Sequence, residues 1–346
     1  MNENRRNGSW RGRLRTLARW TLLAWAAWLL VVNALLYLPP TQGLVSSIRP
    51  EKFRVRWDRA WSVMPFHVTA RGVFANGHAK RQMWQLEAAT VSGFINPVPL
   101  LWKTVDLYAV DGTNVDYRQR PRPLPDRDHS DIEAFFPDIE GRPVTPADTS
   151  PYRSSRPWRV VVNAVEISGR STYWVYQLQG AARGRLSGDL EYLTRGGPLR
   201  LDVREFDLEF ESNRLNGDRV MFEHARARGS LGFAPFRPRE DKGLALLRVL
   251  SFDLDTEVDL DSLAFLNLFL LNFGDVAVDG SGQVVGRLRY GRGEVLPGTD
   301  LAVAARNLEV GLMGHRIEGA GTVGLYMGER TSGQMELFFH YGDLRV

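Results

Sequence analysis

The chain has 346 residues, of which 44% are hydrophobic, 24% charged and none cysteine. That supply of apolar side chains excludes a wholly disordered polypeptide, and the lack of cysteine excludes a disulfide framework, a Cys-ligated metal site and a thiol nucleophile. The net charge of +4 is uneven: residues 1–50 carry seven arginines against Glu3, while the rest of the chain holds 37 basic and 39 acidic groups. A nearly neutral body lacks the basic face with which proteins hold nucleic acid, so no nucleic-acid partner is expected.

Residues 1–19 form a basic tail, expected to be cytoplasmic, and residues 20–38 follow without a single charge. A helix over 20–38 would be roughly 28 Å long, matching the hydrocarbon thickness of a bilayer. Trp20, Trp25, Trp28 and Tyr37 supply anchoring aromatics, and Pro39-Pro40 ends the helix. Six arginines precede the run, so the positive-inside rule puts the N-terminus in the cytoplasm and the body outside. A cleaved signal peptide would have a shorter apolar stretch and an Ala-x-Ala site, which favours an uncleaved signal anchor here. No second stretch reaches 18 apolar residues, so one crossing is expected.

The body reads as strands. Leu199, Leu201 and Val203 alternate with Arg200, Asp202 and Arg204; Phe206, Leu208 and Phe210 then alternate with Asp207, Glu209 and Glu211. Glu205 shifts the phase by one residue, as a β-bulge does. Similar runs cover 105–110, 160–167, 252–260, 301–305, 308–312, 322–327 and 334–340. Asp111-Gly112, Asn216-Gly217, Asp279-Gly280 and Gly196-Gly197-Pro198 read as the turns between strands, which predicts an antiparallel meander. Eight prolines between Pro121 and Pro157 mark 119–157 as a long insert, with a helical turn expected over 131–136. It divides the body into 51–118 and 158–346. Residues 262–273, SLAFLNLFLLNF, predict a short helix apolar on nearly every face, packed on the sheet as core or lying against lipid.

Apparent chemical motifs have plainer readings. GxGxxG at 319–324 continues into a strand rather than opening a helix, so it forms no dinucleotide site and no nucleotide partner is expected. Acids at 253, 255, 257, 259 and 261 resemble a calcium loop but lack its glycine and terminal glutamate, and read as the solvated face of a strand. The six histidines are scattered, with no HExxH, and neither GxSxG nor a P-loop occurs. The reading is a non-enzymatic protein with no catalytic residues, no metal and no cofactor.

Three segments carry a family resemblance beyond the anchor: RVRWDRAWSVMPFHVTARGV at 54–73, VDLYAVDGTNVDYR at 105–118, and DGSGQVVGRLRY at 279–290. With the basic N-terminus and single anchor, their strand, Asp-Gly, strand phrasing resembles the AsmA-like and TamB-like envelope proteins of Gram-negative bacteria, relatives of the repeating β-groove lipid transporters. The resemblance implies an inner-membrane anchor and a periplasmic, taco-shaped β-groove with an apolar concave face, acting in phospholipid transport or outer-membrane lipid homeostasis. It supplies no catalytic residues.

The expected fold is therefore mainly β: one transmembrane helix, then a long curved antiparallel sheet with a few short helices. Some 16 strands would make a trough of roughly 75 Å at about 4.8 Å per strand. Moving a two-chain phospholipid into water costs on the order of 25 kcal/mol at ~0.8 kcal/mol per methylene, a cost that an apolar trough removes. The candidate lipid-contacting residues are Leu201, Val203, Phe206, Leu208, Phe210, Leu263, Phe265, Val303, Val323, Leu325, Leu337 and Phe339. Membrane phospholipid is the expected partner, with envelope proteins also possible. The alternative is a non-transporting envelope scaffold whose apolar face closes into a β core.

Overall fold

The structure, a computed structural model, describes residues 6–38, 53–78, 82–122, 133–140, 157–175, 178–194, 196–215, 219–222, 224–237, 240–241, 244–263, 276–312, 314–328 and 336–345. A long helix, α1 (Arg6–Tyr37), is followed by sixteen strands. The first half of the body holds β1 (Phe53–Arg56), β2 (Arg59–Met64), β3 (His67–His78), β4 (Gln82–Asn96), β5 (Thr104–Pro121), β6 (Arg159–Val175) and β7 (Leu178–Leu193). Next come β8 (Leu199–Leu215), β9 (Arg219–Phe222), β10 (Ala225–Phe236) and, after the one-turn helix α2 (Leu244–Leu247), β11 (Leu250–Leu260). The chain continues through β12 (Val276–Gly291), β13 (Glu294–Val295), β14 (Thr299–Leu312), β15 (His315–Met327) and β16 (Glu336–Arg345).

All sixteen strands belong to one open sheet, ordered β1-β3-β4-β5-β6-β7-β8-β10-β11-β12-β14-β15-β16. The three short strands β2, β9 and β13 pair beside β3, β8 and β12 off this path. Thirteen strands thus set the length, giving about 58 Å at ~4.8 Å spacing, shorter than a count of sixteen implies. The sheet does not close, so the closed-core alternative is not the architecture adopted.

Neighbouring strands run antiparallel except one pair: β5 and β6 are parallel. The proline-rich insert carries the chain from Pro121 back to the other end of the sheet, so β6 starts beside Thr104, and one continuous sheet results. Within the insert, the expected turn is present as a 3-10 turn at Glu133–Phe135. Residues 133–140 lie back over the sheet. Phe136 meets Trp174 edge-to-face at 4.9 Å, Arg120 lies over the Phe136 ring, and Glu140 pairs with Arg54 at 3.3 Å and Arg56 at 3.1 Å. Trp174 and Ile139 are fully buried in a sheet with few buried residues, so this strap builds a local second layer.

The phase shift at Glu205 is a bulge. Ser187 pairs Glu205 but Gly188 pairs Val203, leaving Arg204 extra, and Phe206 and Val203 consequently share one face. Asp111-Gly112 and Asp279-Gly280, in contrast, are not turns: both lie inside long strands, β5 and β12. An Asp-Gly pair marks backbone freedom, and in 16- to 18-residue strands that freedom serves bending rather than reversal. Gly280 (φ +124°) shows why: a Cβ there would collide with the carbonyl oxygen of Asn307 on the next strand. Such kinks and bulges let a broad sheet curve.

One face is ionic. In register across six strands stand Arg185, Asp207, Arg228, Asp255, Arg287 and Asp300, opposite in sign at each step. Asp207 takes Arg228 at 3.0 Å, and Asp253 takes Arg287 at 2.7 Å. Hydrogen bonds from Arg228, and secondarily Arg226, hold the Asp207 carboxyl below its ordinary range; those from Arg287 do the same for Asp253. At Glu211 burial acts upward, but the guanidiniums of Arg170 and Arg183 outweigh it and the net shift is down. A slip of any strand by one residue would turn these charges onto the apolar face, so the two-faced pattern limits register. The acids at 253–261 sit on strand β11 as expected, and the GxGxxG stretch lies within β15.

Two outcomes follow. Trp174→Ala should cost about 3–5 kcal/mol of unfolding free energy in urea titrations, against less than about 0.5 kcal/mol for the exposed Val285→Ala. Because the three carboxylates are depressed in the folded state, their contribution is complete above the unfolded carboxylate range near pH 4 and lost as pH falls through the folded values. The urea midpoint should therefore be flat from pH 8 to 5 and fall below about pH 4, more steeply than in Glu211→Gln.

Candidate functional site

Opposite the ionic face, the register gathers the apolar residues into rows. One row runs Phe210, Ala225, Val258, Val284, Val303, Val323, Phe339 from β8 to β16. Beside it runs Leu208, Ala227, Thr256, Gly286, Leu301, Leu325, Leu337. Across the bulge, Leu201 stands opposite Leu190 and Phe233; Val203 opposite Gly188 and Leu231; and Phe206 opposite Leu186 and Gly229. Ten of the twelve sequence-derived candidates thus take register positions on this one face. The five on β8 and Val303 are half-buried, shielded laterally by row neighbours. Phe252 and Tyr290 stack at 5.2 Å on the same face. Among the described residues no second sheet packs across it.

The other two candidates differ. Leu263 is only 1% exposed, packed with Leu260 and Ala305 and touched by Phe222, Val258 and Val303. It fills this part of the trough from the protein's own chain. Phe265, with most of the 262–273 segment, lies outside the described residues.

The face becomes polar toward one edge. Tyr173 donates to the Asn213 side-chain oxygen at 2.7 Å, and Tyr117 to that of Gln119 at 2.8 Å. Burial pushes the Tyr173 hydroxyl up to about 12, against an opposing effect of the Asn213 hydrogen bond, and burial also raises Tyr117. Both stay neutral at any physiological pH. These four residues were not foreseen, because isolated Tyr, Gln and Asn side chains carry no spacing signal. Chemically the surface suits long apolar ligands with a neutral hydrogen-bonding rim; among the described residues there is no cluster able to hold a metal ion.

A second feature joins sheet to helix. Gly12–Tyr37 within α1 is long and apolar enough to cross a membrane, and no residue of its most apolar stretch is fully buried in protein. Trp20, Trp25 and Tyr37 are exposed. Trp28, Leu29, Val32, Asn33 and Leu36 instead form a half-buried stripe at helical spacing that meets β2. Asn33 clamps the strand: its Nδ2 donates to the Ser62 carbonyl and its Oδ1 accepts from the Ser62 N–H, both at 2.8 Å. Trp28 packs on Phe66 with ring centroids 4.8 Å apart. The sequence signal was present, since Asn33 is the one amide in an otherwise apolar run.

No family model matches this chain, and no curated protein is significantly similar to it.

Asn33→Leu removes a donor and an acceptor at once, leaving both Ser62 backbone groups unpaired at a cost of about 1–3 kcal/mol each where water is excluded. Amide hydrogen exchange across residues 59–66 should accelerate at least tenfold in that variant, while exchange in β10–β12 stays unchanged.

Proposed function

We propose that this protein is a membrane-anchored β-groove protein that carries lipid acyl chains along the apolar face of its sheet and contributes to phospholipid transport or lipid homeostasis of a bacterial envelope. The proposal includes an inner-membrane location, a cytoplasmic N-terminus, a periplasmic body and a plan like that of AsmA-like and TamB-like proteins. The observation that carries it is the open one-layer sheet: mainly apolar rows run across the seven strands from β8 to β16 with no second sheet over them among the described residues. Water against such a surface is costly, at roughly 25 cal/mol per Å² of apolar area, and acyl chains relieve that cost. The ionic reverse face suits solvent. The groove reading requires no catalytic group and no bound cofactor; lipid would move by partition along the rows.

The test is lipid carriage by the purified full chain. Extraction and mass spectrometry should find phospholipid bound to the wild type, reduced several-fold in Phe206→Asp/Leu208→Asp, a variant that keeps α1 and hence its detergent-held lipid. Strand circular dichroism checks that the sheet persists. Equal lipid in both proteins would remove the groove reading.

A further inference from the structure

The exposed large apolar residues of the body are not scattered. Among the described residues, ten of the twelve between Val63 and Tyr326 lie at one edge of the sheet, formed by the β2–β3 turn, the end of β4, the 3-10 turn at Val98–Trp102 and the starts of β5 and β6. Leu101 is 81% exposed, and Val63, Val98 and Trp102 each 58%. In water this edge is an unsatisfied patch. It adjoins α1 directly, through Asn33 on Ser62 and Trp28 on Phe66.

That contact sets a depth. Trp28 precedes Tyr37 by nine residues, about 13.5 Å along the helix axis, close to the ~15 Å of one leaflet's hydrocarbon. If α1 spans, a ring packed on Trp28 is near the bilayer midplane, and Phe66 is that ring. Phe66 holds φ +67°, a strained backbone for a bulky residue, with its carbonyl accepting from the Ile95 N–H at 2.8 Å.

The edge is also built for a place without water. Pro97 and Pro99 remove two N–H donors. The Val98 N–H reaches the Asn96 side chain, Leu100 donates to the Pro97 carbonyl, Lys103 to the Leu100 carbonyl and Arg159 to the Lys103 carbonyl. Hydrocarbon demands such internal satisfaction, whereas a wet surface loop does not need it. Trp102-Lys103 then ends the run with the residue pair favoured where hydrocarbon meets headgroups.

We infer that the β2–β3 turn and the 98–102 turn are embedded in the leaflet into which the C-terminal end of α1 emerges, so that the groove opens onto acyl chains sideways, within the membrane. The occupant of the exposed edge is the lipid of that leaflet. The inference rests on the groove reading for its purpose and on α1 spanning for its geometry, but its depth is measurable without either lipid extraction or transport.

The cysteine-free chain makes the test clean. Single nitroxide labels are placed by Leu101→Cys, Val63→Cys, Leu30→Cys and Val285→Cys in the full chain, reconstituted in phosphatidylethanolamine/phosphatidylglycerol vesicles. Labels at 101 and 63 should relax several-fold faster with oxygen than with a water-soluble nickel chelate, as at 30, with the reverse at 285. Nickel access at 101 and 63, with 30 still in lipid, overturns the embedded edge while leaving the anchor intact. Nickel access at 30 as well overturns both. Shielding of 101 and 63 from both reagents also overturns it, in favour of a protein covering the edge. Persistence of the oxygen pattern in a protein that carries no extractable lipid would sustain the embedded edge and remove the groove reading.

Discussion

A β-sheet satisfies its backbone laterally but can bury a face only against another layer, and among the described residues no second sheet covers one side. The hydrogen-bond ladder is continuous through thirteen strands, so the polar main chain is accounted for. The apolar rows are not. Lateral packing within rows and a curved rather than flat surface can be understood as responses to that imbalance.

The ionic face carries specificity more than energy. Exposed Arg–Asp pairs contribute modestly, yet a one-residue slip of any strand would carry its charges onto the apolar face. The strap at 133–140 acts differently. It buries Trp174 and Ile139 and so gives the first half of the sheet a true, if small, core. At the other end Leu263 plays a comparable part against Leu260 and Ala305. The strap lies on the ionic side, as Trp174 alternates with Tyr173 along β6, whereas Leu263 covers part of the apolar face.

The junction with α1 resolves a further problem. A strand edge next to a membrane presents unpaired N–H and C=O groups, and hydrocarbon offers them nothing. Asn33 meets both groups of Ser62 from within the apolar helix. The same contact ties sheet and helix into fixed relative depth, so the exposed apolar edge cannot be anywhere but beside the helix.

Much of this was legible in the residues themselves. Period-two alternation located the long strands, the phase break at Glu205 located the bulge, and the uncharged run located the apolar helix, because each depends on neighbours a few positions away. Asp111-Gly112 and Asp279-Gly280 were misread as turns since an Asp-Gly pair signals backbone freedom without saying whether the strand reverses or bends. The parallel pairing of β5 with β6, the docking of the insert on Trp174, the burial of Leu263 and the clamp of Asn33 on Ser62 were hidden. These join residues as far as 86 positions apart, as where Arg54 donates to Glu140. Local chemistry determined that the chain would form apolar-faced strands behind an apolar helix. Only the tertiary structure decided that no second sheet covers that face among the described residues and which edge meets the helix, because both depend on where distant segments come to lie.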